Sequence, residues 1–291
     1  MTDPVVLTDG VAEVAVCPDL GGGLAAYDLW RGGRRAPLFR RAPASTADPF
    51  ALASIVLVPW SNRISGGGFA FGDRFHALAP NLPGEACPIH GNGFQLPWHV
   101  TQRASEAVTL TVASNGPGPF RYEATLRYAL AGGALTMRLD VTHRATEKLP
   151  YGLGFHPWLP RTAATTLCAP AAHVWLEDAR HLPAGRVAIS ARPAWDFARA
   201  RALPSGWVNN GFDGWGGTAR IAWPDRRLAL TIDAAPPLGA YLLYSPGAHG
   251  RFFCFEPVTH PVDAHNLPGA PGLIALAAGE TASVACRFAP D

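Results

Sequence analysis

The chain has 291 residues and a net charge of +2, and 48% of its residues are hydrophobic against 16% charged. That composition excludes a disordered chain and offers no strong field for nucleic acid or an anionic membrane. Glycine and proline, 31 and 28 residues, make up about 20% of the chain against an average near ~12%, which excludes a helix-rich protein because both residues disfavour helix interiors.

In chain order, the dominant period is two. Val11 to Val16 and Val108 to Val112 read as strands. Tyr122, Ala124, Leu126, Tyr128 and Leu130 share one face, Gly132-Gly133 follow, and Leu135, Met137, Leu139 and Val141 alternate with polar residues. This pattern predicts a β-hairpin with one buried face and a glycine turn. Trp195 to Ala202 is the one segment that could form two helical turns, bounded by Pro193 and Pro204. Ile221 and Trp223, a Pro224-Asp225 turn, then Leu228, Leu230 and Ile232 predict a second hairpin. The last strand places Ala282, Val284, Cys286 and Phe288 inward. No composition shift marks a linker and no fixed period repeats. Residues 1–291 therefore read as a single all-β domain, a large sandwich.

The five cysteines, Cys17, Cys87, Cys168, Cys254 and Cys286, are odd in number and contain no CxxC. They predict buried free thiols rather than a disulfide framework or a cysteine zinc site. The start, Met1-Thr2-Asp3-Pro4, lacks the basic and apolar regions of a signal peptide, and the longest apolar run, Phe50 to Trp60, is too short to span a bilayer. A soluble cytoplasmic protein, monomer or homodimer, is the expectation.

Four polar stretches interrupt this apolar, turn-rich chain. Trp60-Ser61-Asn62-Arg63-Ile64 puts an arginine in a loop after a buried strand, where its planar fork suits oxygen-rich ligands. Ile89-His90-Gly91-Asn92-Gly93 puts a histidine in tight backbone, with Trp98 following. Gly154-Phe155-His156-Pro157-Trp158 sets a histidine among aromatics, an arrangement suited to the apolar face of a sugar ring. Phe252-Phe253-Cys254-Phe255-Glu256-Pro257 ends an apolar strand on a carboxylate, which is costly there unless paired or used. A fifth, acidic and aromatic, loop contains Asp213.

Taken together and in this order, these elements resemble the aldose 1-epimerase (mutarotase) family, the galactose mutarotase-like enzymes. The resemblance is carried by Asn62-Arg63-Ile64, the run Gly66 to Phe71, His90-Gly91 with Trp98, His156-Pro157-Trp158, Asp213, and Glu256-Pro257-Val258-Thr259 continuing to Asp263 and Asn266, and it spans about Val11 to Phe288. It implies a β-supersandwich and interconversion of the α and β anomers of a free aldose. By resemblance, Glu256 is the general base, His156 the general acid, and Arg63, His90, Asp213, Asn62 and Trp158 hold the monosaccharide. Trp158 stands where many relatives carry tyrosine or another aromatic.

The chemistry is consistent with that set. A cyclic hemiacetal opens when a base takes the O1 proton while an acid protonates the ring oxygen; rotation about C1–C2 and the reverse transfer give the other anomer. One acid and one base on either side of C1–O5 suffice, with no metal, nucleotide or other cofactor. On this basis the pH profile is bell-shaped, with the acidic limb from Glu256 and the basic limb from His156. Phe155, Trp60 and Trp215 join Trp158 as candidates for an aromatic wall. Glu256, His260, Asp263 and His265 are potential metal ligands within ten residues, but their proline-broken spacing fits no closed zinc pattern. A non-catalytic sugar binder is the alternative from another class. A hexose 6-phosphate substrate is a further alternative, which the Arg34-Arg35 and Arg40-Arg41 pairs leave open.

Overall fold

The alternation read from the sequence becomes alternating burial. In the computed structural model, which describes residues 3–291, Tyr122–Ala131 pairs antiparallel with Ala134–His143 in register Ala131 to Ala134. The connecting Gly132 and Gly133 have φ of 59° and 82°, the left-handed pair a two-residue turn needs. The second hairpin forms from Thr218–Trp223 and Leu228–Ala234. Its turn is a short 3-10 segment, Pro224–Arg226, closed by Arg227 in the left-handed region. The last strand, Thr281–Pro290, pairs with both Ala134–His143 and Leu228–Ala234 and so joins the two hairpins into one nine-stranded sheet.

The second large sheet has eleven strands. Its middle runs Ser54–Leu57, Gly154–Pro160, Phe252–Val258, Ala240–Ser245, Val208–Asp213 and His173–Glu177, each antiparallel to the next. The main core brings Phe155, Leu159, Phe212, Tyr241, Leu243, Phe253 and Phe255 of this sheet together with Leu126, Tyr128, Leu139, Ile221, Leu230, Val284 and Phe288 of the other. A smaller apolar cluster lies on the opposite face of the eleven-stranded sheet, built from Leu52, Ile55, Leu57, Phe94, Trp158, Leu242, Cys254 and Val258.

Among the described residues there is no α-helix. Trp195 to Ala202 forms no helical turns: a 3-10 segment covers Pro193–Trp195, and Arg201–Ala202 is a two-residue strand on Thr166–Cys168. The apolar residues Trp195 and Phe197 reach the core without helical periodicity. Among the described residues no helix is long and apolar enough to cross a membrane. All five cysteines are free; Cys254 and Cys286 are buried, and the other three half-buried.

Candidate active site

The site begins with the pleat. In Gly154–Pro160, Phe155 and Leu159 enter the main core, which turns Gly154, His156 and Trp158 to the other face. In Phe252–Val258, Phe253 and Phe255 do the same, which turns Cys254, Glu256 and Val258 outward beside them. The register pairs Gly154 with Val258 and Trp158 with Cys254. His156 is thereby set opposite Glu256, and its Nε2 lies 3.3 Å from Oε1 of Glu256. Trp158, two residues on, stacks on the imidazole at 3.9 Å between ring centroids. The Arg40 guanidinium lies over the Trp158 ring at 4.7 Å and donates to the carbonyls of Phe50 and Leu52.

Loops bring the remaining groups. Asn62 and His90 are both in the left-handed region, with φ of 56° and 59°. Such backbone is strained for non-glycine residues and persists where surrounding bonds hold it. Here the bonds are reciprocal: Asn62 N–H donates to Nδ1 of His90 at 3.0 Å, and His90 N–H donates to the Asn62 carbonyl at 3.0 Å. With Nδ1 accepting, the neutral His90 ring carries its proton on Nε2. Arg63 is gripped by both carboxylate oxygens of Glu85, at 3.0 and 2.8 Å. Asp263, also left-handed at φ 56°, ties the 260s loop to this one. Its N–H donates to the Arg63 carbonyl, and its carboxylate accepts from the Ser65 N–H and hydroxyl.

Asn62, Arg63, Glu85, His90, His156, Trp158 and Glu256 line one cleft of about 310 Å³, together with Phe50, Asn209, Trp207, Tyr244 and His181. Burial governs its electrostatics. It pushes the Glu256 carboxyl well above the usual carboxylate range. It pulls His156 down to about 3, with the Arg40 charge acting the same way. It also drives His90 well below its ordinary value, helped by the neighbouring His156 and Arg63. The His156–Glu256 pair therefore holds one proton, resting on Glu256, and neither partner is charged. Oε2 of Glu256 and Nδ1 of His156 have no protein partner, and both residues face the cleft.

The structure thus brings together Asn62, Arg63, His90, His156, Trp158 and Glu256. It does not bring Asp213. That carboxylate lies outside the cleft, where Arg186 grips it at 2.8 and 2.7 Å and Trp175 donates to it at 2.6 Å. Burial works against its charge, but these hydrogen bonds outweigh burial and hold its carboxyl below the usual value. Asn209, four residues earlier on the same strand, lines the cleft instead. The aromatic wall also differs from expectation. Phe155, Trp60 and Trp215 are core residues, and Phe50, Trp207 and Tyr244 accompany Trp158. Alternation could have separated Phe155 from His156; no local signal marks Phe50, Trp207 or Tyr244.

The histidines of the 260s loop are structural. His260 accepts from the Ser61 N–H and donates to the Pro261 carbonyl, and His265 donates to the Pro150 carbonyl. Three potential ligand atoms, from His156, Cys254 and Glu256, lie within 4.8 Å of one another. Burial holds the Cys254 thiol well above its ordinary pKa, with the neighbouring Glu256 acting the same way.

Two large antiparallel sheets, with a buried His–Glu pair in a cleft on the outer face of one, define a galactose mutarotase-like protein. The chain belongs to the aldose 1-epimerase family, whose model matches residues 3–289. The uncharacterized Escherichia coli K12 protein YphB is 34% identical over 269 residues, 90% of each chain. A crystal structure from the same organism, provisionally described as an aldose 1-epimerase, superposes with a TM-score of 0.92 at 30% identity, over 99% of this chain and 98% of that one. A galactose mutarotase-like protein from Clostridium acetobutylicum shares the fold, with a TM-score of 0.86 at 17% identity over 98% and 94%.

Proposed function

We propose that this protein is an aldose 1-epimerase that interconverts the anomers of a free, unphosphorylated aldose, with the whole chain acting as one domain. The observation that carries the reading is the 3.3 Å contact of His156 with Glu256 inside a cleft of monosaccharide scale. O1 and O5 are both bonded to C1, so an acid and a base side by side can serve both oxygens. Glu256 takes the O1 proton while His156 protonates O5, and after rotation about C1–C2 the transfers reverse. A proton moving across the His156–Glu256 contact converts the neutral resting pair into the carboxylate–imidazolium form without changing the proton count. Arg63, Asn62 and His90 hold hydroxyls, and Trp158 offers an apolar face.

A non-catalytic binder has no need of a buried acid–base pair, and this favours the enzyme. Among the described residues Arg63 is the sole Lys or Arg lining the cleft, and Glu85 pairs with it. Arg35 and Arg41 pair with Glu13 and Asp28, and Arg40 is spent on carbonyls. The cleft lining itself therefore offers no unpaired Lys or Arg to a sugar phosphate, which favours neutral aldoses. Polarimetry on glucose, galactose, xylose and arabinose, with glucose 6-phosphate alongside, tests the reading. Rates at the spontaneous background for all of them would withdraw it, and a preference for the phosphate would withdraw the substrate class.

A further inference from the structure

The wall of the cleft made by Trp207, Asn209 and His181 takes no part in the proton transfers above, yet one carboxylate organises all of it. Oε1 of Glu177 accepts from Nε1 of Trp207 at 2.8 Å. Oε2 accepts from Nδ2 of Asn209 at 2.7 Å and pairs with Nδ1 of His181 at 2.8 Å. Glu177 ends the strand His173–Glu177, and the pairing of that strand with Pro183–Ala188 shifts register between Leu176 and Glu177. Irregularities of this kind re-aim a side chain and recur beside active sites. His181 is held at φ 61° by a turn in which its N–H donates to the Asp178 carbonyl.

Each of the three side chains has its inner hydrogen-bonding atom used, so what it offers the cleft is set. Trp207 is 50% exposed although its N–H is satisfied, and it leans on Tyr244 at 5.0 Å. Only its ring is left to meet a ligand. Asn209 keeps its second N–H and its carbonyl oxygen. His181, donating from Nδ1, keeps Nε2 as an acceptor. The cross-strand pairs Cys254–Tyr244 and Tyr244–Asn209 place Asn209 two strands from the strand of Glu256, roughly 10 Å at sheet spacing. A pyranose with C1 at Glu256 and His156 and its ring turned toward Asn209 would present its C3–C4 edge to that wall.

We propose that Glu177 is a positioning residue that makes this wall the recognition site for the distal C3 and C4 hydroxyls of the aldose, and so sets which epimer is preferred. The inference rests on the epimerase reading for its kinetic test, and a binding measurement keeps the two separable. The test compares wild-type, Glu177→Ala and Glu177→Gln proteins on the C4 epimers D-glucose and D-galactose, by mutarotation rate and by tryptophan fluorescence titration with the same sugars. Glu177→Ala is expected to raise KM and the fluorescence Kd for the preferred epimer about tenfold, the scale of one or two lost hydrogen bonds. The kcat/KM ratio of the two epimers should narrow, with kcat within about twofold because the proton-transfer pair is untouched. Glu177→Gln keeps one acceptor oxygen and should fall between. Unchanged Kd and an unchanged epimer ratio in Glu177→Ala, with wild-type thermal stability, would overturn the proposal, as would a fall in kcat with KM constant. If no protein turns over either sugar, the epimerase reading fails, and the Kd shift alone decides for or against the wall.

Discussion

Trp158 and His156 stack with ring centroids 3.9 Å apart and planes at 25°. Two residues apart on one strand, they share a face, and the larger ring fixes the plane of the smaller. The imidazole thus meets Glu256 edge-on through Nε2 without any protein hydrogen bond to Nδ1. Packing orients this histidine, where most buried histidines are oriented by a hydrogen bond.

The pair itself gives the first prediction. Glu256→Gln keeps shape and removes the base, and His156→Asn removes the acid. Each should lower kcat about 10²–10⁴-fold with modest change in KM. Polarimetry against the spontaneous background checks this. Wild-type kcat in Glu256→Gln would move the base elsewhere.

The pH profile should not have the limbs expected from unperturbed side chains. Activity needs one proton on the pair. Burial lowers His156 to about 3 and raises Glu256 well above its ordinary value. The one-proton state therefore extends from about pH 3 up to the raised Glu256 value. The alkaline limb comes from loss of the Glu256 proton and the acidic limb from protonation of His156, the reverse of the sequence-based assignment. Measured kcat should stay level through weakly acidic pH, with its lower limb near the lowered His156 value and its upper limb at the raised Glu256 value. A fall through the ordinary carboxylate range would contradict this.

Asn209 and Asp213 separate by mutation. Asn209→Ala should raise KM several-fold, by about the energy of one hydrogen bond. Asp213→Asn should leave kcat and KM near wild type, because its carboxylate bonds Arg186 and Trp175 outside the cleft. A large catalytic loss in Asp213→Asn would show that the carboxylate reaches substrate.

Arg63→Ala should raise KM with a smaller effect on kcat, and it also leaves Glu85 unpaired at the rim. Glu85→Gln separates the two effects. It keeps the arginine and loosens its grip, so its KM should lie between those of wild type and Arg63→Ala.

Acid lability follows from the buried histidines. His156 and His265 are lowered to about 3, His260 to about 4, and His90 well below its ordinary value, all chiefly by burial. The unfolded chain protonates these rings near 6.5, so it binds more protons than the folded protein below that pH. Stability is then fully present above about 6.5 and lost as pH falls toward 3–4, with a slope of up to roughly 1.4 kcal/mol per pH unit for each histidine. The raised Glu256 opposes this with a single group. Thermal melts from pH 7 to pH 4 should show a steadily falling Tm. His265→Gln, which removes one of the four rings, should flatten the slope.

The sequence by itself determined the sheets and the floor of the site. Period-two runs specify which face is buried, and in Phe155-His156-Pro157-Trp158 and Phe253-Cys254-Phe255-Glu256 the core residues alternate with the functional ones; that alternation turns Phe155 inward, contrary to the expectation that it joins Trp158 in the cleft wall. Asn62, Arg63 and His90 were legible as polar residues in tight turns. Only the tertiary structure decided between Asn209 and Asp213. Cross-strand pairing puts Gly211 in the row of Leu242 and Glu256, so the two candidates flank that row at equal distance on the same face. Alternation cannot choose between them. The choice falls to the side on which the sheet face is left open. Asn209 lies in the row of Tyr244, Cys254 and Trp158, beside the cleft, while Asp213 lies in the row of Ala240, Val258 and Gly154, beyond which Thr259 and Pro261 stand. Strand order and register are long-range properties, set by how distant segments pair, and no local pattern encodes them.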